Sequence, residues 1–257
     1  DSTLNSDPIA DITYQPEKVS GFEAGIKALL NDGSLEVNFD IYDYTYDDLQ
    51  LNYFNAATFA YRTLNAEESE SRGLELQVAY LPPLIDGLRL TAAYGYNDSN
   101  YVKFVGPCAG GQKPSDGCNV PDGGLTLQNL NGSKKALAPE NRFNLGLNYN
   151  SILSNGLEFG FNMNVKASDD YRLSDTIPDI KQPRYNTVDA GISLSSPNAG
   201  WKLALIGRNL GDEYIQTSGS DAPSTGGGAG TEAGFAGDRY AYIKPGRTIA
   251  LKLSYQR

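Results

Sequence analysis

The chain holds no histidine, one methionine, one tryptophan and two cysteines in 257 residues. Without imidazole the commonest general base and most zinc sites are gone. No Gly-x-Ser-x-Gly elbow and no Ser-x-x-Lys pair occurs, so the usual hydrolase nucleophiles are missing as well. Adjacent acids such as Asp47 with Asp48, or Asp169 with Asp170, lie at loop edges, where paired carboxylates are ordinarily solvated rather than catalytic or calcium-binding. The chain is therefore expected to be no enzyme and to hold no resident cofactor and no metal. Also missing is any apolar run of the ~20 residues that a spanning helix needs, which excludes a helical membrane protein. It does not exclude a β-barrel, whose strand residues alternate between lipid and lumen. The start of the chain lacks the basic-then-apolar pattern of a signal peptide. Finally, cationic charge is scarce. With 21 Lys and Arg against 31 Asp and Glu, the formal charge is −10, and no basic stripe exists to neutralise the phosphates of a nucleic acid.

Cys108 and Cys118 bracket a stretch rich in Gly, Pro, Asp and Lys (CAGGQKPSDGC). Metal ligation would need further partners, so a loop disulfide in an oxidising compartment is the expectation, with two free thiols as the alternative.

What the chain does have is tyrosine (17), glycine (28) and period-two alternation. About nine segments qualify as strands with one uniformly apolar face. Phe22, Ala24, Ile26 and Ala28 come first, then Leu35, Val37, Phe39 and Ile41. Leu74, Leu76, Val78 and Tyr80 follow, then Leu88, Leu90, Ala92, Tyr94 and Tyr96. The fifth has Phe143, Leu145, Leu147 and Tyr149; the sixth, and cleanest, has Leu157, Phe159, Phe161, Met163 and Val165. Val188, Ala190, Ile192 and Leu194 make the seventh. Trp201, Leu203 and Leu205 make the eighth, where Ile206 spoils the alternation. Ile249, Leu251, Leu253 and Tyr255 make the last. The intervening positions carry Glu, Asn, Asp, Lys and Arg on almost every strand.

The connections alternate in length. Asn31 to Ser34 is a tight turn, and Pro82 to Gly87, Ser151 to Gly156 and Ser196 to Gly200 are also brief. Near residues 45–71, 105–140, 168–184 and 211–246 the connections are long, of a length uncommon in compact soluble domains. Short periplasmic turns opposite long extracellular loops are the habit of outer-membrane barrels. With antiparallel strands, Tyr80, Tyr149, Trp201 and Tyr255 fall at the short-turn end, where an interfacial aromatic belt belongs. Tyr101, Phe104, Tyr171, Tyr185, Tyr240 and Tyr242 fall toward the other end, as a second belt or as loop contacts. Alternation alone fits a soluble, lectin-like β-sandwich equally well. The polar inward positions and the loop asymmetry favour the membrane barrel. Thr217 to Gly237 is low-complexity, and its glycines lack the Lys-Ser/Thr and helix of a phosphate-binding loop.

Several motifs, in order along nearly the whole chain, resemble those of one family. Pro16-Glu17-Lys18 with Phe22-Glu23-Ala24-Gly25-Ile26-Lys27 resembles the "PE... YE-x-G-x-K" strand of the TonB-dependent outer-membrane receptors. Val37 to Gln50 is similar to that family's aromatic "FYYDYKDLQ" stretch, and Ser71-Arg72-Gly73-Leu74-Glu75-Leu76 to its "SRGVEL" strand. Ala138-Pro139-Glu140-Asn141-Arg142 sits where the family commonly has a Pro entering a strand. Arg208 to Tyr214 resembles "NLFDKxY", and Pro245-Gly246-Arg247 resembles the "PGR" turn before the final strand. The resemblance implies an all-β, antiparallel up-and-down barrel of about 22 strands with a plug. Residues 1–257 are then the C-terminal portion, and the plug and early strands lie elsewhere: in a longer parent, in a partner cleaved from it, or in the other half of a split receptor. Where the family ends in an aromatic residue, this chain ends Tyr255-Gln256-Arg257.

The implied activity is TonB-coupled uptake of a scarce nutrient, such as an iron-siderophore or other small cargo, across the outer membrane of a Gram-negative bacterium. Expected partners are the rest of the receptor, the TonB complex through that part, the lipid bilayer and a small-molecule cargo. Cargo contact is expected from aromatic and cationic residues of the long loops: Tyr53, Phe54, Tyr61, Arg62, Tyr101, Arg172, Arg239 and Tyr240. The alternative for each is a belt or loop-packing residue. The alternatives for the whole are a passive porin-like channel and a soluble β-sandwich binding module.

Overall fold

The computed structural model describes residues 14–55, 60–122, 125–222 and 238–255. In chain order the strands are β1 (Lys18–Leu30), β2 (Leu35–Asn55), β3 (Ala60–Tyr80), β4 (Leu88–Lys103), β5 (Val105–Pro107), β6 (Cys118–Asp122), β7 (Leu125–Asn129), β8 (Asn141–Ile152), β9 (Glu158–Ser168), β10 (Tyr171–Arg172), β11 (Lys181–Gln182), β12 (Tyr185–Ser196), β13 (Trp201–Arg208), β14 (Gln216–Ala222), β15 (Asp238–Ile243) and β16 (Thr248–Tyr255). Nine of them form one antiparallel sheet in the order β1-β2-β3-β4-β8-β9-β12-β13-β16, with β1 and β16 at its margins. The remaining seven are short and belong to three small sheets in the long connections.

Register fixes the two faces, because every residue opposite an apolar one lies on the same side of the pleat. One row runs Ala28, Val37, Val78, Ala92, Leu145, Val165 and Val188 across seven strands. Another runs Leu88, Tyr149, Phe161, Ile192, Leu205 and Leu251. The apolar sets read from the nine segments thus merge into one unbroken face. Much of it is uncovered: Ile192, Leu205 and Leu251 are 47%, 43% and 70% exposed. The described residues form no second sheet large enough to cover it, so a sandwich core is not what this alternation builds. The opposite face is polar, as in the row Lys27, Asn38, Gln77, Ala93, Asn144, Lys166 and Thr187. Ile206 does lie on the polar face. It stands between Gly191 and Ala250, whose small side chains leave room for it.

The connections differ in one respect from the sequence reading. Residues 45–71 are largely a paired hairpin, in which β2 and β3 run on from Thr45↔Glu70 to Asn55↔Ala60. The apolar alternation stops near Ile41, whereas backbone pairing needs no apolar face and continues beyond it. The other long connections carry pairing of their own: β5-β7-β6 within residues 104–140, β10-β11 within 169–184 and β14-β15 within 209–247. Trp201 and Tyr255 are register partners at the short-turn end.

Candidate functional site

The polar face of β1 to β4 carries a tyrosine ladder. Tyr42, Tyr44 and Tyr46 occupy alternate positions of β2, with ring centroids 5.8 and 6.5 Å apart. The Tyr44 hydroxyl donates to Glu23 at 2.6 Å, and that of Tyr42 donates to the side-chain oxygen of Asn97 at 3.1 Å. Two glycines make the rings fit. Gly21 faces Tyr44 and Gly73 faces Tyr42 across the register, and a β-carbon at either would collide with the ring opposite. One step along the sheet, the register aligns Gly25, Asp40, Glu75, Gly95 and Arg142. Asp40 and Glu75 are direct cross-strand neighbours, a like-charged pair that is disfavoured unless solvent or a cation attends it.

Above this wall lies the strand-free stretch 131–140. Leu137 adopts a left-handed backbone, φ 58°. Its amide donates to the Arg172 carbonyl at 2.9 Å, and its carbonyl accepts from the Arg142 guanidinium at 3.2 Å. A left-handed leucine costs about 1–2 kcal/mol, so these partners hold it against its preference. Leu137, Ala138 and Pro139 close one side of a cavity of about 520 Å³, whose other walls include Glu23, Tyr42, Tyr44, Tyr46, Glu75 and Arg142. Lys135 sits over the Tyr46 ring, 4.7 Å from its centroid, a cation–π contact. Burial lowers the Lys135 pKa, against the opposing pull of Asp175 and Glu17. The ladder was missed in the sequence reading, although a signal exists: three tyrosines at polar parity on one strand.

The expected site residues are placed as follows. Cys108 and Cys118 form a disulfide, Cα to Cα 5.6 Å, bridging the start of the 104–140 connection to β6. Tyr101, on β4, is 1% exposed and packs with Ala66 of β3 and with Phe104 and Leu130 of the 104–140 connection. Arg172, 9% exposed, donates to the carbonyls of Lys134 and Asp175. Burial lowers its pKa, with Asp175 and then Tyr101 opposing. Tyr101 and Arg172 were expected as cargo contacts, with packing as the alternative, and both are buried: Tyr101 of β4 against β3 and the 104–140 connection, and Arg172 against the 104–140 connection. Arg239 pairs with Asp221 and, at 3.4 Å, with Asp179. Tyr240 is 42% exposed and meets Tyr242 edge-on at 5.8 Å. Tyr53 faces Arg62, and Phe54 faces Tyr61, in the β2–β3 backbone register; their side chains lie outside the described part of the structure. So do Gln256, Arg257 and most of the low-complexity stretch.

Compared with solved structures, the chain is similar to the siderophore receptor PiuA from Acinetobacter baumannii, with TM-score 0.64 and 19% identity over 93% of this chain and 28% of that one. It is similar also to the ferric yersiniabactin uptake receptor FyuA from Yersinia pestis, with TM-score 0.65 and 15% identity over 97% and 32%. The copper transporter OprC gives TM-score 0.59 and 16% identity over 95% and 32%. The chain thus spans about a third or less of the length of these structures, and what they share with it is the fold. No curated protein matches it. A family described as "TonB dependent receptor-like, beta-barrel" matches residues 2–210, and with most of the nine-stranded wall inside that match, the chain belongs to the TonB-dependent receptor β-barrel family.

Proposed function

We propose that this chain is a stretch of the barrel wall of an outer-membrane receptor that takes up a scarce small cargo with energy delivered through TonB. The observation that carries the reading is the pair of continuous faces. An apolar surface nine strands wide suits hydrocarbon, and a polar surface in register behind it suits a wet interior. The longer connections then lie at the cell surface. The acids Glu23, Asp40 and Glu75 give the inner wall a negative patch beside Arg142, which suits a basic surface on the part of the receptor that lies against it. Tyr240 and Arg239, with Tyr53, Phe54, Tyr61 and Arg62, are the proposed cargo contacts, while Tyr101 and Arg172 act indirectly by holding the connections in place.

The similar structures named as siderophore, ferric-complex and copper transporters make iron complexes and metals the first cargoes to try. The test uses a strain deleted for the receptor that contains this chain, complemented with the complete receptor. Uptake of ferric siderophores, copper, nickel, cobalamin and saccharides is measured with and without functional TonB. Cargo-specific uptake that vanishes without TonB is expected. Uptake that persists unchanged without TonB would replace the reading with a passive pore.

A further inference from the structure

The three long connections on the β4 to β16 side are tied to one another more densely than separate flaps would be. Between residues 104–140 and 169–184, the Ala136 amide donates to the Asp175 carboxylate at 2.7 Å and the Leu137 amide to the Arg172 carbonyl at 2.9 Å. The Gln128 side chain, 3% exposed, donates to the carbonyls of Pro107 at 2.7 Å and Thr176 at 2.6 Å. Between 169–184 and 209–247, the Gln216 amide donates to the Gln182 side chain at 2.6 Å, and Gln182 is 1% exposed. Between 104–140 and 209–247, the Gly110 amide donates to the Asp221 carboxylate at 2.6 Å. Arg239 gathers all three, pairing with Asp221 of its own connection and Asp179 of the second while donating to the Gly110 carbonyl of the first at 3.5 Å.

A small apolar core closes the same junction. Ala109 from the first connection packs with Leu173, Ile177 and Ile180 from the second, and Ala241 from the third lies against them. Gly219 shows how tight the fit is: a β-carbon there would stand 2.5 Å from the Ile180 methyl and 3.2 Å from the Tyr240 carbonyl. Loss of any one connection would leave polar groups of the other two without their partners, the buried Gln128 and Gln182 among them. A buried amide or carbonyl without its partner costs about 1–3 kcal/mol, so the connections share their stability.

We infer that the described parts of these connections, residues 104–122, 125–140, 169–184, 209–222 and 238–247, form one cooperative body that opens as a unit or not at all. Cargo on this side then meets a preformed surface, and any closure around it belongs to other parts of the receptor or to this body moving whole. Independent loop flaps would instead show separate local openings.

The inference concerns the mechanics of the connections and stands apart from the identity of the cargo. Its test is native-state hydrogen exchange on the complete receptor in detergent micelles, across low concentrations of guanidinium. The amides of Gly110, Ala136, Leu137 and Gln216 report the ties between connections. Their exchange is expected to converge on one common opening, distinct from that of β9 and β12. A Gln182→Leu variant is expected to speed all four amides by a shared factor of about tenfold or more, because one tie lost weakens the whole. Four amides that keep separate openings, or a Gln182→Leu effect confined to Gln216, would overturn the inference. The unmodified receptor alone decides the matter if the variant fails to assemble.

Discussion

Gly73 faces Tyr42 across the β2–β3 register, and the tyrosine hydroxyl stands 2.6 Å from where a β-carbon at position 73 would be. The same β-carbon would press on the Tyr96 carbonyl oxygen of β4, which no rotamer change can relieve. Gly95 lies on the same polar face, one register row away, with nothing within 4 Å of its imagined β-carbon. Gly73→Ala is therefore expected to destabilise the wall by about 1–3 kcal/mol, as overpacking does, and Gly95→Ala to be nearly neutral. The folded fraction of each variant, read from heat-modifiable migration on gels, checks the pair. Equal behaviour would deny that Gly73 is there to seat the phenol.

Ile192 and Ser193 are chain neighbours on opposite faces, the first in an apolar row with Phe161 and Leu205, the second opposite Gly160 and Ala204. If the apolar face meets hydrocarbon, Ile192→Lys costs about 2–4 kcal/mol near the membrane midplane, whereas Ser193→Lys points into water and costs little. Yield of assembled receptor in outer-membrane fractions measures the contrast. A chain tolerant of Ile192→Lys but not of Ser193→Lys would have its faces reversed.

Replacing both Cys108 and Cys118 by alanine opens a cross-link with a sequence separation of 10. A loop of that size is worth about 2–3 kcal/mol by chain entropy. The loss is expected in the connections and not in the sheet, since neither cysteine belongs to the nine-stranded wall. Protease sensitivity should rise at residues 104–140 while the heat-modifiable barrel persists. A wall that falls apart with the disulfide would contradict this.

Trp201 is the single tryptophan of the chain and pairs with Tyr255 beside the short turns. With tryptophans elsewhere in the receptor replaced, its fluorescence in lipid is expected to be quenched most by bromines placed shallow in the acyl chains, as an interfacial ring should be. Strongest quenching by bromines near the bilayer centre would misplace this end of the wall.

The sheet was legible because its signal is local. Leu157 to Val165 announces a strand from nine consecutive letters, and antiparallel neighbours with the same period have little choice of register once one face is apolar. The β2–β3 extension was not legible, because beyond Ile41 the alternation no longer separates apolar from polar. The burial of Tyr101 and Arg172 was equally hidden. Arg172 reaches a carbonyl 38 positions away in sequence, and Tyr101 is covered by Phe104 and Leu130 of the 104–140 connection and by Ala66 of the hairpin, so no local pattern reports it. The tyrosine ladder was visible as letters and misjudged as meaning, since Tyr42, Tyr44 and Tyr46 were read only as part of an aromatic motif.

Within the nine-stranded sheet, β1 and β16 each have a neighbour on one side only. In hydrocarbon, a peptide group lacking a partner costs several kcal/mol, and a strand margin exposes a whole file of them. If this wall stands in a bilayer, as proposed, its nine strands cannot complete insertion stave by stave, and both seams have to be zipped to further backbone as the sheet enters the lipid.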